Sequence, residues 1–337
     1  MSDHQIFDLG PTRLASGVVV PSLRIAYRIY GELNAAKSNL ILYPTSYGAH
    51  HSDIDWLIGA DRVLDPTRYC ILIPNQLGNG LSTSPSTLPE PFTHGRAPVF
   101  THPDNIAAQD RLMREALGVE RIALAYGWSM GGQQALHWGA LHPERVERIC
   151  VTCTSARTSP HNKLFLEGLR AALTADPGWR DGWFRERPIR GLRAFARIYA
   201  GWAMSQAFYR EEVWASAGFA SREDYLIRAW EGNFLRRDPA DLLSMIETWI
   251  RSDISDNSVF KGDLKAALGA ITAPSIVMPS TTDLYFTEDD SRIEIAMMPN
   301  AELRPIRSIW GHRAGNPVSA PEDEAAIRGA VEDLLAD

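Results

Sequence analysis

The sequence predicts an α/β fold with a mostly parallel central sheet and an inserted helical cap, and three observations carry that prediction. Short apolar runs rich in Val and Ile recur along the chain, among them "YCILIPNQLGNG", "RIALAYGWS", "RICVTCTS" and "PSIVMPSTTD". Runs of this length read as parallel strands buried on both faces. Helix-length segments separate several of them, Asp104 to Leu117 and Met130 to Leu141, and strand–helix alternation implies βαβ units. The rhythm then breaks: from about Pro160 to Asp263 the pattern is helical, and strands return at Pro274. The expected division is a core of residues 1–159 and 264–337 with a cap of residues 160–263.

Taken in order, "GVVVPSLRIAYRIYG" is long, has polar interruptions and contains Pro21. It reads as an antiparallel hairpin at the sheet's edge, where a missing N–H is tolerated. "NLILYPTSYG" and the runs named above supply the core strands. "AELRPIRSIWGH" reads as the last strand, running into His312. In the cap, "RGLRAFARIYAGWAMSQAFY" carries apolar residues at three- and four-residue spacing, the signature of an amphipathic helix. Six tryptophans fall in that segment: Trp179, Trp183, Trp202, Trp214, Trp230 and Trp249. They suit a tight apolar entrance for small groups, or the cap's own core. There are no repeats, low-complexity tracts or obvious linker.

The 337 residues, 45% hydrophobic and 22% charged, are those of a soluble globular protein. A net charge of -7 argues against a nucleic-acid partner; the basic cluster between Arg180 and Arg197 reads equally as a solvated helical face. The N-terminal "MSDHQIFDLGPTRLASG" lacks the basic and apolar regions of a secretory signal. No apolar run approaches the roughly 18 residues of a membrane helix, so the expected location is the cytoplasm. Cys150 and Cys153 form a C-x-x-C, but within an apolar strand pattern, where positions three apart point to opposite faces. Packing is the better reading. Adjacent His50 and His51, without a nearby Cys or carboxylate cluster, do not make a convincing zinc site. No metal and no cofactor is expected.

The chemistry centres on "GWSMG", which fits G-x-S-x-G with Gly127, Ser129 and Gly131. An apolar strand precedes it and a helix follows, the setting in which a sharp turn projects a serine hydroxyl above a sheet. The flanking residues must be small for the backbones to pass, and the helix N-terminus faces the site where negative charge develops. The alternative is a Gly-rich helix start without chemistry. A nucleophilic serine needs a base and an orienting acid, in the chain order Ser, Asp or Glu, His. Asp283 follows "SIVMPSTT", and His312 is the only histidine after His161. Asp289 and Asp290 follow Glu288 and look like the acidic first turn of a helix; Asp283 itself also fits a local cap. The oxyanion donors expected are the amides of Met130 and of Ser46 or Tyr47 in "LILYPTSYGAHH".

At this point the chain resembles the homoserine O-acetyltransferase family of α/β-hydrolases. "DNIAAQDRLMREALGVERIALAYGWSMGGQQALHWGALHPERVERI", "ADPGWRDGWF", "PIRGLRAFARIYA" and "RRDPADLLSMIETWIRSDIS" carry the resemblance. It implies the α/β-hydrolase fold, a triad of Ser129, Asp283 and His312, Ser46 at the oxyanion position, and a dimer interface in part of the cap. Three departures point away from homoserine. "WGHRAGNP" has Arg313 where the transferases carry the aspartate of G-H-D, and a cation there repels an ammonium group. "NQLGNGLSTSPST" lacks their G-S-T-G-P. Trp128 stands where they commonly have a small residue or proline. The sequence is closer to the family's esterase branch, which acts on short acyl esters, mainly acetates. The expectation is therefore a serine esterase for a small-molecule ester, with Tyr47, Trp128 and Arg313 touching substrate. The runner-up is an acyl-CoA-dependent O-acetyltransferase, where Arg313 would meet a carboxylate or a coenzyme A phosphate. A third reading is a non-catalytic binding scaffold, since fold alone does not settle function.

Overall fold

The computed structural model describes residues 3–336. Its main sheet has eight strands: β1 (Gln5–Asp8), β2 (Arg24–Tyr30), β3 (Leu40–Leu42), β4 (Cys70–Pro74), β5 (Leu124–Trp128), β6 (Ile149–Thr152), β7 (Ser275–Met278) and β8 (Ala301–Leu303). Their spatial order is β1-β2-β4-β3-β5-β6-β7-β8. β1 pairs antiparallel with β2, and β2 with β4; every other pairing in this sheet is parallel. The expected edge hairpin is corrected in one respect. β2 is antiparallel, but its partner is Gln5–Asp8, while Val19–Val20 leaves for a separate ribbon with Thr12–Arg13. Pro21 cannot donate to a ladder, and it stands between the two uses of that run.

Alternate side chains on the buried strands enter opposite layers, as a period of two requires. Leu40, Leu42, Leu72, Ala125 and Val151 pack beneath α1 (His102–Arg111), α2 (Met130–Leu141) and part of α6 (Leu264–Gly269). Ile41, Tyr43, Ile73, Tyr126 and Cys150 face the other way, against α8 (Pro321–Leu335). α2 runs over the residues expected from sequence. α1 starts two residues earlier than expected, at a capping box of Thr101 and Asp104, and passes through a wide π-type turn at Leu112–Leu117. α7 (Glu288–Ile295) is the acidic-start helix, capped by Thr287. β8 ends at Leu303, well before His312; Pro305 interrupts the ladder and only an isolated bridge, Ser280 to Ile306, follows.

Between β6 and α6 lie α3 (Pro160–Thr174), α4 (Ile189–Ala203), several short helices and α5 (Pro239–Ile250). α4 buries Leu192, Phe195, Ala196, Tyr199, Ala200 and Ala203, one stripe at helical spacing. This stripe joins Phe165, Trp249, Tyr285 and Phe286 in an aromatic cluster at the carboxyl ends of the core strands. Trp249 is fully buried there, stacked on Phe286 at 5.6 Å. No helix among the described residues is long and apolar enough to cross a membrane.

Asp241, in the first turn of α5, ties this helical segment to the loop after β4. It accepts hydrogen bonds from Ser86 N at 2.9 Å and Ser86 Oγ at 2.6 Å. Burial outweighs these bonds and raises its pKa from 3.8 to about 7. A folded-state pKa above the unfolded one means that stability falls as pH rises from about 4 through about 7. Asp241→Asn keeps an acceptor for Ser86 N and removes the charge. Its melting temperature relative to the unmodified chain is therefore expected to be higher at pH 8, and this advantage should vanish near pH 4; thermal melts across that range check it.

Candidate active site

Ser129 sits between β5 and α2 with φ +56 and ψ -129, a conformation that L-residues rarely hold. Its neighbours keep it there. Ser129 N donates to Thr152 O at 3.1 Å, and Ser129 O accepts from Thr154 Oγ1 at 2.7 Å. A Cβ on Gly127 would collide with the Gly131 carbonyl, and one on Gly131 with Pro44 O. The small residues read from the motif are therefore demanded by backbone passing backbone.

The loop after β3 is fastened to this elbow by a side chain. Ser46 Oγ donates to Trp128 O at 2.6 Å and accepts from Gly131 N at 3.4 Å. Gln76 Nε2 donates to Ser46 O at 3.1 Å, and Gln134 Nε2 to Thr45 O at 3.0 Å. Met130 is the first residue of α2, so its amide has no intrahelical carbonyl to meet.

Asp283 and His312 come together from two separate turns. His312 Nδ1 lies 2.7 Å from Asp283 Oδ2, with both side chains buried. The carboxylate's other oxygen accepts from Tyr285 N at 2.7 Å and Phe286 N at 3.3 Å. Local cap and partner of the histidine, alternatives in the sequence, are thus both true, one per oxygen. The carboxylate can only accept, so Nδ1 carries the hydrogen and Nε2 is left with its lone pair. Nε2 is buried and has no hydrogen-bond partner among the described residues. Rings close on the imidazole: Tyr285 edge-on at 4.7 Å, Trp128 at 5.1 Å and Phe286 at 5.6 Å.

Trp128 also donates its indole N–H to His312 O at 3.1 Å. The indole fits because residue 315 is glycine: a Cβ there would lie 2.6 Å from Trp128 Cδ1. Arg313 lays its guanidinium over that indole, 5.3 Å from the centroid. Tyr47 stacks on Tyr199 at 5.7 Å and spends its hydroxyl on Leu242 O at 3.1 Å. Tyr47, Trp128, His312 and Arg313 line a cavity of about 620 Å³ together with Tyr199 and Trp230. Of the six cap tryptophans, Trp230 alone lines it among the described residues.

Sequence reasoning missed Thr154, Gln76 and Gln134, polar residues whose bonds are visible only in three dimensions. It also treated Cys153 as packing only. Cys153, with φ +45, lies just past β6, and its sulfur is within 4.8 Å of ligand atoms of Asp283 and His312. Burial and the Asp283 charge push its thiol pKa up, so it sits there as a neutral thiol. All three cysteines are free and buried.

His51 does meet a carboxylate in space: Asp3, His4 and His51 approach within 4.8 Å. However, Asn75 Nδ2 donates to His51 Nδ1 at 3.1 Å, which leaves Nε2 as the N–H facing Asp3 at 3.2 Å. In that tautomer the lone pair is on Nδ1, where Asn75 already engages it, and the nitrogen facing Asp3 has none to give a metal. His50 contacts Asn79 O and the Arg237 guanidinium; burial first, then Arg237, lowers its pKa to about 4.

Comparison with known proteins agrees with this architecture. Residues 39–304 match the family model described as the alpha/beta hydrolase fold. An ethyl acetate hydrolase of Pseudomonas veronii is 38% identical over 314 residues, covering 91% of this chain and 88% of that protein. A homoserine O-acetyltransferase of Chlorobium chlorochromatii is 30% identical over 313 residues, covering 88% of this chain and 87% of that protein. Among solved structures, the acetyl esterase MekB aligns over 100% of this chain and 97% of its own, with a TM-score of 0.96 and 35% identity. With a mostly parallel sheet, a serine at the strand-to-helix turn and such relatives along most of its length, the chain belongs to the α/β-hydrolase family.

Proposed function

We propose that this chain is a serine esterase that hydrolyses small short-chain acyl esters, acetates foremost, through an acyl-enzyme. The observation that carries the reading is the buried His312 Nδ1–Asp283 Oδ2 bond, which leaves Nε2 unpaired on the cavity wall. The ethyl acetate hydrolase and the acetyl esterase among the relatives support the substrate class.

In this mechanism Ser129 Oγ attacks the ester carbonyl carbon while its proton passes to His312 Nε2. Asp283 holds the tautomer and offsets the imidazolium charge. The Met130 and Ser46 amides receive the oxyanion. As the tetrahedral intermediate collapses, the C–O bond to the alcohol breaks and His312 returns the proton to the leaving oxygen. Water, deprotonated by the same Nε2, then adds to the acetyl-enzyme; acetate leaves and Ser129 recovers its proton. Trp128 holds the base in register with the elbow through its N–H bond to His312 O.

Acyl transfer to an alcohol shares every step until deacylation, and homoserine O-acetyltransferases are among the relatives. Arg313 favours water over homoserine, because it offers an ammonium group repulsion where an acid would offer a partner. The reading also includes residues 160–263 as a cap, a cytoplasmic location and a homodimer through the cap. Leu164, Ile189, Ile198 and Ile227 are the exposed apolar side chains of that segment that such a contact would cover.

Ser129→Ala is expected to lower acetate release from ethyl acetate by a factor on the order of 10⁴ to 10⁶ and to abolish fluorophosphonate labelling; a variant retaining full activity overturns the triad. Supplying acetyl-CoA with homoserine should release coenzyme A no faster than acetyl-CoA alone, and homoserine-dependent release overturns the esterase assignment. Trp128→Phe keeps a ring but loses the indole N–H. It should lower kcat about tenfold, the loss of roughly one hydrogen bond's worth of positioning, with KM nearly unchanged. Sedimentation velocity should give a dimer that Leu164→Glu with Ile198→Glu converts to a monomer.

A further inference from the structure

The cavity beside His312 carries an excess of positive charge that the chain as a whole does not have. Among the described residues its lining holds Arg228, Arg236, Arg237 and Arg313 against a single carboxylate, Asp53, in a chain of net charge -7. Three of these arginines face acids, two of them the same one. Arg228 pairs with Asp224 at 3.1 Å, while Arg236, at 3.9 Å, and Arg237 share Asp53. Arg313 alone of the four has no carboxylate within ion-pair distance, and its guanidinium donates no hydrogen bond, among the described residues. Its guanidinium lies over the Trp128 ring, 5.3 Å from the centroid, within electrostatic reach of Tyr225, Tyr199, Asp53 and Tyr43. A partly buried cation is ordinarily paired; an unpaired one on a cavity wall is a site for an anion brought in with the ligand.

From this juxtaposition we infer that the site is built for a carboxylate-bearing ester, the acetate ester of a short hydroxy acid, with Arg313 taking the carboxylate while His312 serves the ester bond. The inference rests on the esterase reading and names its substrate class. Arg313 and His312 line the same cavity, so one ester can present its carbonyl to the histidine and its carboxylate to the guanidinium. An acetyl group has no room for a carboxylate, which places the anion on the alcohol side. One unpaired guanidinium supplies one unit of charge in a planar fork, the match of a carboxylate. Burial also pushes the Arg313 pKa down, so the cation is short of solvation and gains from an anion. Hydrolysis then yields acetate and the free hydroxy acid, which leaves as a monoanion.

The test compares 3-acetoxypropanoate with neutral butyl acetate, using the full chain at low ionic strength and reading acetate release. The expected kcat/KM favours the anionic ester roughly tenfold to a hundredfold, the range of a charged hydrogen bond. Arg313→Met should bring that ratio to about one, and Arg313→Lys should retain part of it. Binding of 3-hydroxypropanoate, measured by calorimetry with 1-propanol as the neutral control, reads the same pocket without turnover. It should weaken with salt and be lost in Arg313→Met. The inference is overturned if both esters are cleaved equally, if Arg313→Met leaves the preference intact, or if 2-acetoxyethyl phosphate is preferred to the carboxylate. If no ester is cleaved, the esterase reading fails by itself; calorimetry then decides this one, salt-sensitive binding supporting the anion site and no binding removing it.

Discussion

The backbone of Ser129 is the constraint around which the carboxyl end of the sheet is arranged. A φ of +56 on a side chain-bearing residue persists only where the surroundings over-determine it. Here they do so from three sides. β6 takes the amide, Thr154 takes the carbonyl, and Gly127 and Gly131 allow the chain to double back within contact distance of itself. The strain is borne by a junction of two regular elements, so the hydroxyl's position is as rigid as the sheet and α2 together.

The other groups are brought to that fixed point by clips, each joining segments distant in sequence. Ser46 Oγ spans the loop after β3 and the elbow. Trp128 spans the elbow and the turn that bears His312, by both a hydrogen bond and a ring contact. Asp283 uses one oxygen to shape its own turn and the other to orient the imidazole. The same bond that aligns the histidine therefore rests on a carboxylate that is already immobilised, so little rotamer freedom remains to be lost when substrate arrives.

Much of this was legible in the sequence, for identifiable reasons. Buried strands show as apolar runs because both faces are covered. α2 is bounded by the motif itself, and the order of serine, acid and histidine follows from where strand ends lie in the fold. The edge was harder: a run containing Pro21 divides between two sheets, and nothing local says which partner Arg24–Tyr30 takes. The last strand was read too long, because the apolar pattern of 306–310 continues after Pro305 has ended the ladder. The Trp128 bond to His312 O was out of reach, since it links positions 184 apart through a gap that depends on Gly315. Cys153 was hidden for the opposite reason: its strand context explains its burial without revealing what lies beside it.

The indole and the glycine facing it also constrain history. Related transferases commonly carry a small residue or proline before the nucleophile; here a Cβ at 315 would lie 2.8 Å from Cys153 Sγ as well, so a small residue at 128 relieves only part of the crowding. Once tryptophan stands at 128, any side chain at 315 meets it at 2.6 Å. The two replacements are not interchangeable in time: glycine at 315 must precede tryptophan at 128, and once the indole is seated the way back from glycine is closed. A divergence between neighbouring enzymes would thus have a direction, set by one missing methyl group.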